Sequence, residues 1–413
     1  MADAGTYQDV DWRPRSRYLA VVTVMLVVVN VFTFLYHITA AAAFNGVSNA
    51  VGIIVVIYSV HVWLDSKREF DASSRYVLVA TALAGVSFLV NMAVASPIDT
   101  VKYLAIFVAY AAGRSCPGPS SATERYCLYA LAALPIVFGM VGSSKVFEPE
   151  SVAYLPNANT AALYFAAVLF ALAPQLGSWA VILQFLNAAL MNKVGPAVAT
   201  LAAMSFCLLV PLRRGSLVTG MIVIAAVAAG GWVAHMLGAL DRLTTAYDSV
   251  KLILELEPAT IAAMSYKDLV VLTGTTDLSA FFRIIHWSNV WNLYTSHGFP
   301  RILFGYGAGQ TRFMAYAPLA PHNDYLRIIA EYGLVNVLVF VSFLIHVVRG
   351  IKLMAARVLF IVLLIYMSSE NLLDNFTSMT LYFAYAGRLS VASVQSISFR
   401  YVATEGKHYP APV

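Results

Sequence analysis

Long apolar runs alternate with short polar connections along almost the whole chain. A helix needs about 20 apolar residues to cross the hydrocarbon core of a bilayer, and most of these runs approach that length. The pattern predicts an all-α polytopic membrane protein with about twelve transmembrane helices. The predicted spans are residues 18–36, 41–64, 76–96, 101–113, 126–144, 159–174, 176–191, 194–212, 217–237, 325–348, 358–373 and 378–397.

One connection is far longer than the others. Residues 1–237 hold nine predicted spans, residues 238–324 form a long loop of mixed sequence, and residues 325–413 hold three spans and a C-terminal tail. Loops of this length are usually functional. Within it, "DRLTTAYDSVKLILELEP" predicts a helix that lies on the membrane and ends at Pro258, and "DLSAFFRIIHWSNVWNLY" predicts a second helix.

Composition and charge agree with a membrane protein of defined orientation. The 413 residues are 60% hydrophobic and 11% charged, with a mean hydropathy of +0.75 and a pI near 9.0. With an even number of spans and the N-terminus inside, one set of connections holds fifteen Lys and Arg residues and the short connections of the other side hold three. The positive-inside rule then places both termini in the cytoplasm and the long loop outside. The basic pI is explained by this bias, so we expect the lipid bilayer and no nucleic acid as a partner.

Several kinds of enzyme lack their motifs in this chain. The three cysteines have no metal-ligand spacing, and we find no paired-carboxylate motif for a divalent metal and no nucleophile elbow. The glycine-rich "GYGAG" is not followed by Lys-Ser/Thr, so it is not a P-loop. These absences disfavour metal-dependent nucleotide-sugar transfer and serine hydrolysis, and we predict neither a metal nor a cofactor. Backbone flexibility is the simpler explanation of the glycines, although bare amides can also bind an anion.

The basic side chains on the predicted outer side include Lys193 in a short hairpin, Arg283 on the second loop helix and His322 before the tenth span. Cations at headgroup depth suit a phosphate or diphosphate, and they also serve as simple lipid anchors. His322 fits a general base that takes a proton from a hydroxyl, or a residue that only caps the next helix. Asn323 or Asp324 is the candidate N-cap.

The second loop helix has a mixed face. Arg283, Trp287, Trp291 and Tyr294 fall at helical spacing, so a guanidinium precedes a row of aromatic rings suited to sugar or prenyl groups. Further along the loop, the side chains of Arg301 and Arg312 are secondary candidates for contacts with an anionic glycan or a diphosphate.

Four charges at membrane depth need partners: Glu331, Glu370, Asp374 and Arg388. Arg327 and Glu331 are four residues apart and are expected to pair along one helix. Glu370, Asp374 and Arg388 lie on or between the last two predicted spans, and we expect them to bond to one another or to the tenth span. For Arg388 we expect a pair that locks helix packing.

The ordered set of motifs between residues 279 and 336 resembles the signature region of the O-antigen ligase and polysaccharide polymerase superfamily. It comprises an arginine, a tryptophan four residues later, a glycine turn, an "HNxxL" sequence and an "ExG" sequence that enters a span. In this chain the matching residues are Arg283, Trp287, Gly305, Gly307, Gly309, His322, Asn323, Leu326, Glu331 and Gly333. The twelve-span pattern with a long loop before the tenth span extends the resemblance more loosely over the chain.

The resemblance implies a GT-C-like inner-membrane glycosyltransferase that uses no metal. Such an enzyme moves a glycan from an undecaprenyl diphosphate carrier to an acceptor hydroxyl on the periplasmic face, here with Arg283 and His322 as the site residues. Asn192-Lys193 stands where the family usually has Ser-Arg, which keeps the charge but loses the guanidinium fork. We expect Lys193 to complete the catalytic set and Arg301, Arg312, Asn323 and Trp287 to bind substrate.

Two alternatives remain beside a polysaccharide polymerase. An O-antigen ligase would use lipid A-core as its acceptor, whereas a polymerase would use another carrier-linked glycan. A flippase for lipid-linked glycans would show two related halves and charges deep in a central cavity. We find no such repeat in the sequence, and the polar cluster lies at one face.

Overall fold

The apolar runs form helices, and no strand occurs in the part of the chain that the computed structural model describes. That part comprises residues 14–66, 71–116, 120–141, 158–190, 194–209, 232, 251–252, 255–256, 258–274, 278–314 and 320–391. Up to residue 209 its helices are α1 (Pro14–Thr39), α2 (Ala42–Asp65), α3 (Ala72–Val90), α4 (Pro97–Arg114), α5 (Ala122–Val141), α6 (Ala158–Leu176), α7 (Trp179–Leu190) and α8 (Val194–Leu209). After residue 257 they are α9 (Pro258–Ala263), α10 (Tyr266–Thr273), α11 (Ser279–Ser296), α12 (Phe299–Phe304), a 3-10 turn (Gln310–Phe313), α13 (Asp324–Tyr332), α14 (Leu334–Gly350), α15 (Met354–Tyr366) and α16 (Phe376–Val391).

Three helices are long and apolar enough to cross a membrane by length and composition: residues Arg17–Tyr36 of α1, all of α2 and all of α3. Five shorter apolar helices lie in α6, α7, α8, α14 and α15. The all-α class is therefore confirmed for the described residues, and the long apolar helices are those of a helical membrane protein.

Most of the predicted spans correspond to helices of this structure. Each of the first eight predicted spans coincides with one of α1 to α8, although the ends differ by several residues. The ninth lies almost wholly outside the described residues, as does most of the helix expected before Pro258. The prediction of one continuous tenth span is wrong, because Gly333 separates α13 from α14. The eleventh and twelfth correspond to α15 and α16, but α15 ends at Tyr366, so Glu370 lies in the connection between the two helices and not on a span. Pro258 begins α9, and the second loop helix is observed as α11.

Two glycines near the C-terminal ends of α4 and α16 allow these two helices to approach each other closely. A Cβ atom on Gly113 would lie 1.9 Å from the carbonyl oxygen of Ala384, and one on Gly387 would lie 2.1 Å from that of Tyr110. Small residues are common at such contacts because they let two helix backbones approach each other. Packing around this crossing is aromatic and includes Phe107, Phe343 and Tyr382.

The connections between helices gather at two ends of the bundle. At one end the amide of Ser96 donates to the carbonyl of Ala308 (2.9 Å), which joins the α3–α4 connection to the long loop. At the other end, Arg114 pairs with Asp71 (3.1 Å) and Arg388 pairs with Glu124 (2.7 Å). If successive predicted spans cross the membrane in alternating directions, the connections joined at each end lie on the same side of the membrane.

Arg388 forms an ion pair that holds two helices together, as expected, but its partner is Glu124 and not one of the expected residues. Glu124 accepts hydrogen bonds from Arg388 (2.7 Å) and from the Tyr385 hydroxyl (2.8 Å), so α5 is tied to α16. Neither Glu370 nor Asp374 takes part in this pair, since both lie near the start of α16 and Arg388 lies near its end.

We predict that Gly387→Ala destabilises the protein because the new methyl group overlaps the backbone of α4. Overpacking of this kind costs about 1–3 kcal/mol. The measurement is the thermal unfolding midpoint of the purified protein in detergent. Gly85→Ala on α3 is the matched control, since a Cβ there meets no heavy atom within 4 Å. Equal midpoints for the two variants would show that the crossing tolerates the methyl group.

Candidate functional site

The polar sequence Pro321-His322-Asn323-Asp324 leads into α13, which begins at Asp324. Asn323 is the N-cap, and its side-chain oxygen accepts a hydrogen bond from the amide of Leu326 (3.0 Å). This cap satisfies one of the amides that the first turn of a helix leaves without a partner. Asn323 was also a candidate for substrate binding, and the structure shows its side-chain oxygen engaged in the cap.

Asp324 joins this segment to the α15–α16 connection, residues 367–375. Its side chain is fully buried, and Oδ2 accepts hydrogen bonds from the amides of Leu372 (2.8 Å) and Leu373 (3.2 Å). Its own amide donates to the carbonyl of Met367 (2.8 Å). A buried carboxylate is stable only with such partners. Asp324 thereby fixes the connection relative to residue 322.

His322 has a backbone conformation that is uncommon for a residue other than glycine, with φ +48°. Such conformations persist where the surrounding structure holds them, and they concentrate at functional sites. Trp287 of α11 contributes to this hold, because its indole N–H donates to the carbonyl of Pro321. The side chain of His322 is 37% exposed, and Nδ1 lies 3.1 Å from Oε2 of Glu370.

Arg283 contacts the other oxygen of the same carboxylate. Its Nη2 lies 3.0 Å from Oε1 of Glu370, and its side chain is 30% exposed. The Arg283–Glu370–His322 cluster therefore unites three separate segments: α11, the segment that precedes α13 and the α15–α16 connection. Two partly exposed nitrogen-bearing side chains flank one carboxylate that is almost completely shielded from solvent.

Sequence reasoning did not assign Glu370 to this site. The available signal was a carboxylate at membrane depth, which indicates that a partner exists without identifying it. The expected partners were Asp374, Arg388 and the tenth span, whereas the observed ones are Arg283 and His322. Lys193, the third basic residue of the predicted set, lies outside the described residues.

The aromatic row predicted on α11 is divided between different roles. Trp287 contacts the segment before His322, Trp291 is exposed, and Tyr294 is buried with its hydroxyl donating to the carbonyl of Ile302 (2.6 Å). These rings do not form one continuous platform. Trp287 supports the candidate site through the backbone of Pro321.

The glycine turn at residues 305–309 packs against the end of α13. Its three glycines have φ values of +70°, +99° and +78°. The amides of Tyr306 and Gly307 donate to the carbonyls of Ala330 and Glu331, both at 2.9 Å. Glycine is required for this approach, because a Cβ on residue 305 would lie 2.4 Å from the backbone of Glu331. These two amides serve packing and are not presented to an anion.

The remaining arginine candidates are held by partners at the same end of the bundle. Arg301 of α12 donates to Asn91 Oδ1, and its guanidinium carbon lies 5.2 Å from the centre of the Tyr306 ring. Arg312 lies 3.3 Å from Asp374 and 3.8 Å from Asp99. Arg301 thus ties α12 to the end of α3, while Arg312 joins a second ionic cluster.

That second cluster is built around Arg327, which is almost fully buried. Its guanidinium lies 3.3 Å from Glu331, as expected from their spacing, 2.9 Å from Asp374 and 3.7 Å from Asp99. Lys102 lies 3.7 Å from Asp99 and 3.9 Å from Asp374. We call these residues, with Arg312, the Arg327 network. Burial opposes the ionisation of Asp374, but its cationic neighbours, Arg327 foremost, lower its pKa below the ordinary value.

No protein-family model matches this chain. A search of curated proteins also finds no match. The assignment of a function therefore depends on the residues of the chain itself and on their arrangement.

We predict that Asp324→Ala destabilises the site although the Asp324 side chain is fully buried and does not contact a substrate. The change leaves the amides of Leu372 and Leu373 buried without an acceptor, and each such loss costs about 1–3 kcal/mol. Asp324→Asn retains an acceptor oxygen and should keep most of the stability. The thermal unfolding midpoint and the expression yield of the two variants provide the measurement. If alanine is as stable as asparagine, the tie between α13 and the α15–α16 connection is unimportant.

Proposed function

We propose that this protein is a polysaccharide polymerase of the bacterial inner membrane, a metal-independent glycosyltransferase that uses an undecaprenyl-diphosphate-linked glycan. The observation that carries the proposal is the Arg283–Glu370–His322 cluster. In it, a guanidinium suited to bind a diphosphate and an imidazole suited to act as a general base contact the same carboxylate. In this proposal the chain has about twelve spans in a GT-C-like arrangement, both termini are cytoplasmic, and the cluster faces the periplasm.

The three side chains have complementary roles in such a transfer. Glu370 accepts a hydrogen bond from Nδ1–H of His322, which leaves the lone pair on Nε2 for the acceptor hydroxyl. The hydroxyl oxygen attacks the anomeric carbon as its proton passes to Nε2, and the bond from that carbon to the diphosphate oxygen breaks. Arg283 stabilises the negative charge that grows on the departing diphosphate.

Glu370 also neutralises Arg283 before the carrier binds. A guanidinium and a carboxylate in contact away from bulk water lower each other's free energy, and an unpaired charge there is costly. An incoming diphosphate competes with Glu370 for the guanidinium, since a fork of N–H groups binds two phosphate oxygens at once. Glu370 then remains bonded to His322, so the base stays oriented while Arg283 holds the carrier.

Lipid and polysaccharide extraction from a deletion strain tests the proposed reaction. A polymerase predicts the accumulation of single carrier-linked repeat units on the outer face and the loss of long chains. Long carrier-linked chains beside bare lipid A-core would identify a ligase instead, and carrier-linked units retained on the cytoplasmic face would identify a flippase. An unchanged pattern of carrier lipids would contradict the whole proposal.

We predict that His322→Ala abolishes product, because the variant lacks the imidazole that is proposed to take the hydroxyl proton. His322→Asn preserves hydrogen bonding without basicity and should be almost as inactive. The measurement is product formed per molecule of membrane-inserted protein. The matched control is His297→Ala, since His297 is an exposed histidine at the end of α11. Normal product from His322→Asn would leave His322 with a structural role only.

Lys193 and Arg283 are predicted to hold the carrier diphosphate together. Lys193→Arg should be tolerated, whereas Lys193→Ala should lose at least about ten-fold in turnover, or about 1.4 kcal/mol of transition-state binding. Arg283→Lys should be strongly impaired because the fork is lost, and Arg283→Ala should be nearly inactive. A lipid-anchor role predicts harmless Lys–Arg exchanges and alanine variants with lower abundance but wild-type activity per molecule. Wild-type specific activity in Lys193→Ala would remove Lys193 from the site.

A further inference from the structure

The Arg327 network has a buried base and a partly exposed rim. Arg327, Glu331 and Asp99 are shielded from solvent, with side-chain exposures of 4%, 1% and 9%. Lys102, Arg312 and Asp374 are 29%, 39% and 31% exposed. The rim residues come from α4, from the 3-10 turn of the long loop and from the α15–α16 connection, so three distant segments converge on it.

The rim is held more loosely than the base. Arg327 lies 2.9 Å from Asp374, whereas Arg312 and Lys102 lie 3.3 Å and 3.9 Å from it. Ion pairs in contact with solvent contribute little to stability. Stability therefore depends little on Arg312 and Lys102, and their N–H groups can exchange partners with a ligand at small cost.

The charge balance of the network indicates the class of ligand. Three cationic side chains face three carboxylates, so the formal charges cancel. A free anion would compete with Asp374 and Asp99 for the cations, and a cation would meet two cationic rim groups. A sugar hydroxyl both donates and accepts hydrogen bonds, and this rim offers N–H donors beside a carboxylate acceptor. A neutral, hydroxyl-rich ligand fits it best.

The network lies close to the candidate catalytic cluster. Glu370 and Asp374 belong to one connection and are four residues apart, so their Cα atoms are separated by at most roughly 14 Å. Asp324 holds the residues between them through the amides of Leu372 and Leu373. A ligand on the rim is therefore held at a fixed distance from Glu370 and its partners.

We infer that Lys102, Arg312 and Asp374 form a binding subsite for a neutral glycan segment beside the Arg283–Glu370–His322 cluster. Its assignment as the place of the acceptor glycan rests on the proposed function, whereas glycan binding itself does not. This role differs from the contact with an anionic group that the sequence suggested for Arg312.

Two probes test the subsite on the full-length protein in lipid nanodiscs. One is the neutral oligosaccharide fraction released by mild acid from the surface polysaccharide of the source bacterium, and the other is inorganic diphosphate. Isothermal titration calorimetry measures both affinities. We expect the double variant Lys102→Gln/Arg312→Gln to lose about ten-fold or more in oligosaccharide affinity and to bind diphosphate as the wild type does. Arg283→Gln should show the opposite pattern.

The control is Lys267→Gln, which removes an exposed lysine of the same loop on α10. Thermal unfolding midpoints identify any variant that fails to fold, and the single Lys102→Gln variant replaces the double variant in that case. The subsite is refuted if the wild type does not bind the oligosaccharides, if the Lys102 and Arg312 variants bind them normally, or if those variants weaken only diphosphate binding. A different outcome would count against the proposed function and not against the subsite: Arg283→Gln binds diphosphate as the wild type does, while the Lys102 and Arg312 variants still lose oligosaccharide affinity.

Discussion

The buried carboxylate of Asp324 is the interaction on which the polar end of this protein depends. One side-chain oxygen accepts from two consecutive backbone amides of the α15–α16 connection, and the amide of the same residue donates back to that connection. Hydrogen bonds are electrostatically stronger in such a low-dielectric environment than they are in water. They hold a segment that has no regular structure of its own, and that segment carries Glu370 on one side of the tie and Asp374 on the other. Asp324 consequently fixes the position of both ionic clusters.

The two clusters differ in how their charges are compensated. In the Arg283–Glu370–His322 cluster, a single shielded carboxylate supports two partly exposed groups, so a ligand can replace one partner without leaving the carboxylate alone. In the Arg327 network the buried guanidinium has three carboxylates around it, and removal of any one leaves others in place. Breaking a buried ion pair is strongly destabilising, whereas rearranging an exposed one changes little. The Arg283–Glu370–His322 cluster therefore suits chemistry on a charged substrate. The Arg327 network suits ligand binding, because its buried residues are rigid and its exposed residues can change partners.

Helix packing also positions the end of the bundle that holds the two ionic clusters. The packing of α4 against α16 places the start of α4, with Asp99 and Lys102, next to the connection that holds Asp374. The positive-φ glycine turn and the break at Gly333 allow the long loop to lie against α3, α4 and α13. A Cβ on residue 333 would lie 2.0 Å from the carbonyl oxygen of Leu303, so the helix is interrupted where the loop passes. The site is thus assembled on rigid helices although several of its side chains come from a loop.

The sequence by itself determined the features that depend on neighbours along the chain. Apolar runs predicted the first eight helices, helical spacing predicted α11 and the Arg327–Glu331 pair, and residue type predicted a cap at residue 323 or 324. The tertiary structure alone decided the pairing of groups far apart in the chain: Glu370 with Arg283 and His322, and Arg388 with Glu124. It also decided the break at Gly333, which follows from the approach of another segment and from no local signal except the glycine. The physical reason is that a buried charge requires a partner of opposite sign, but the sequence does not show which distant segment the fold brings within 4 Å of it.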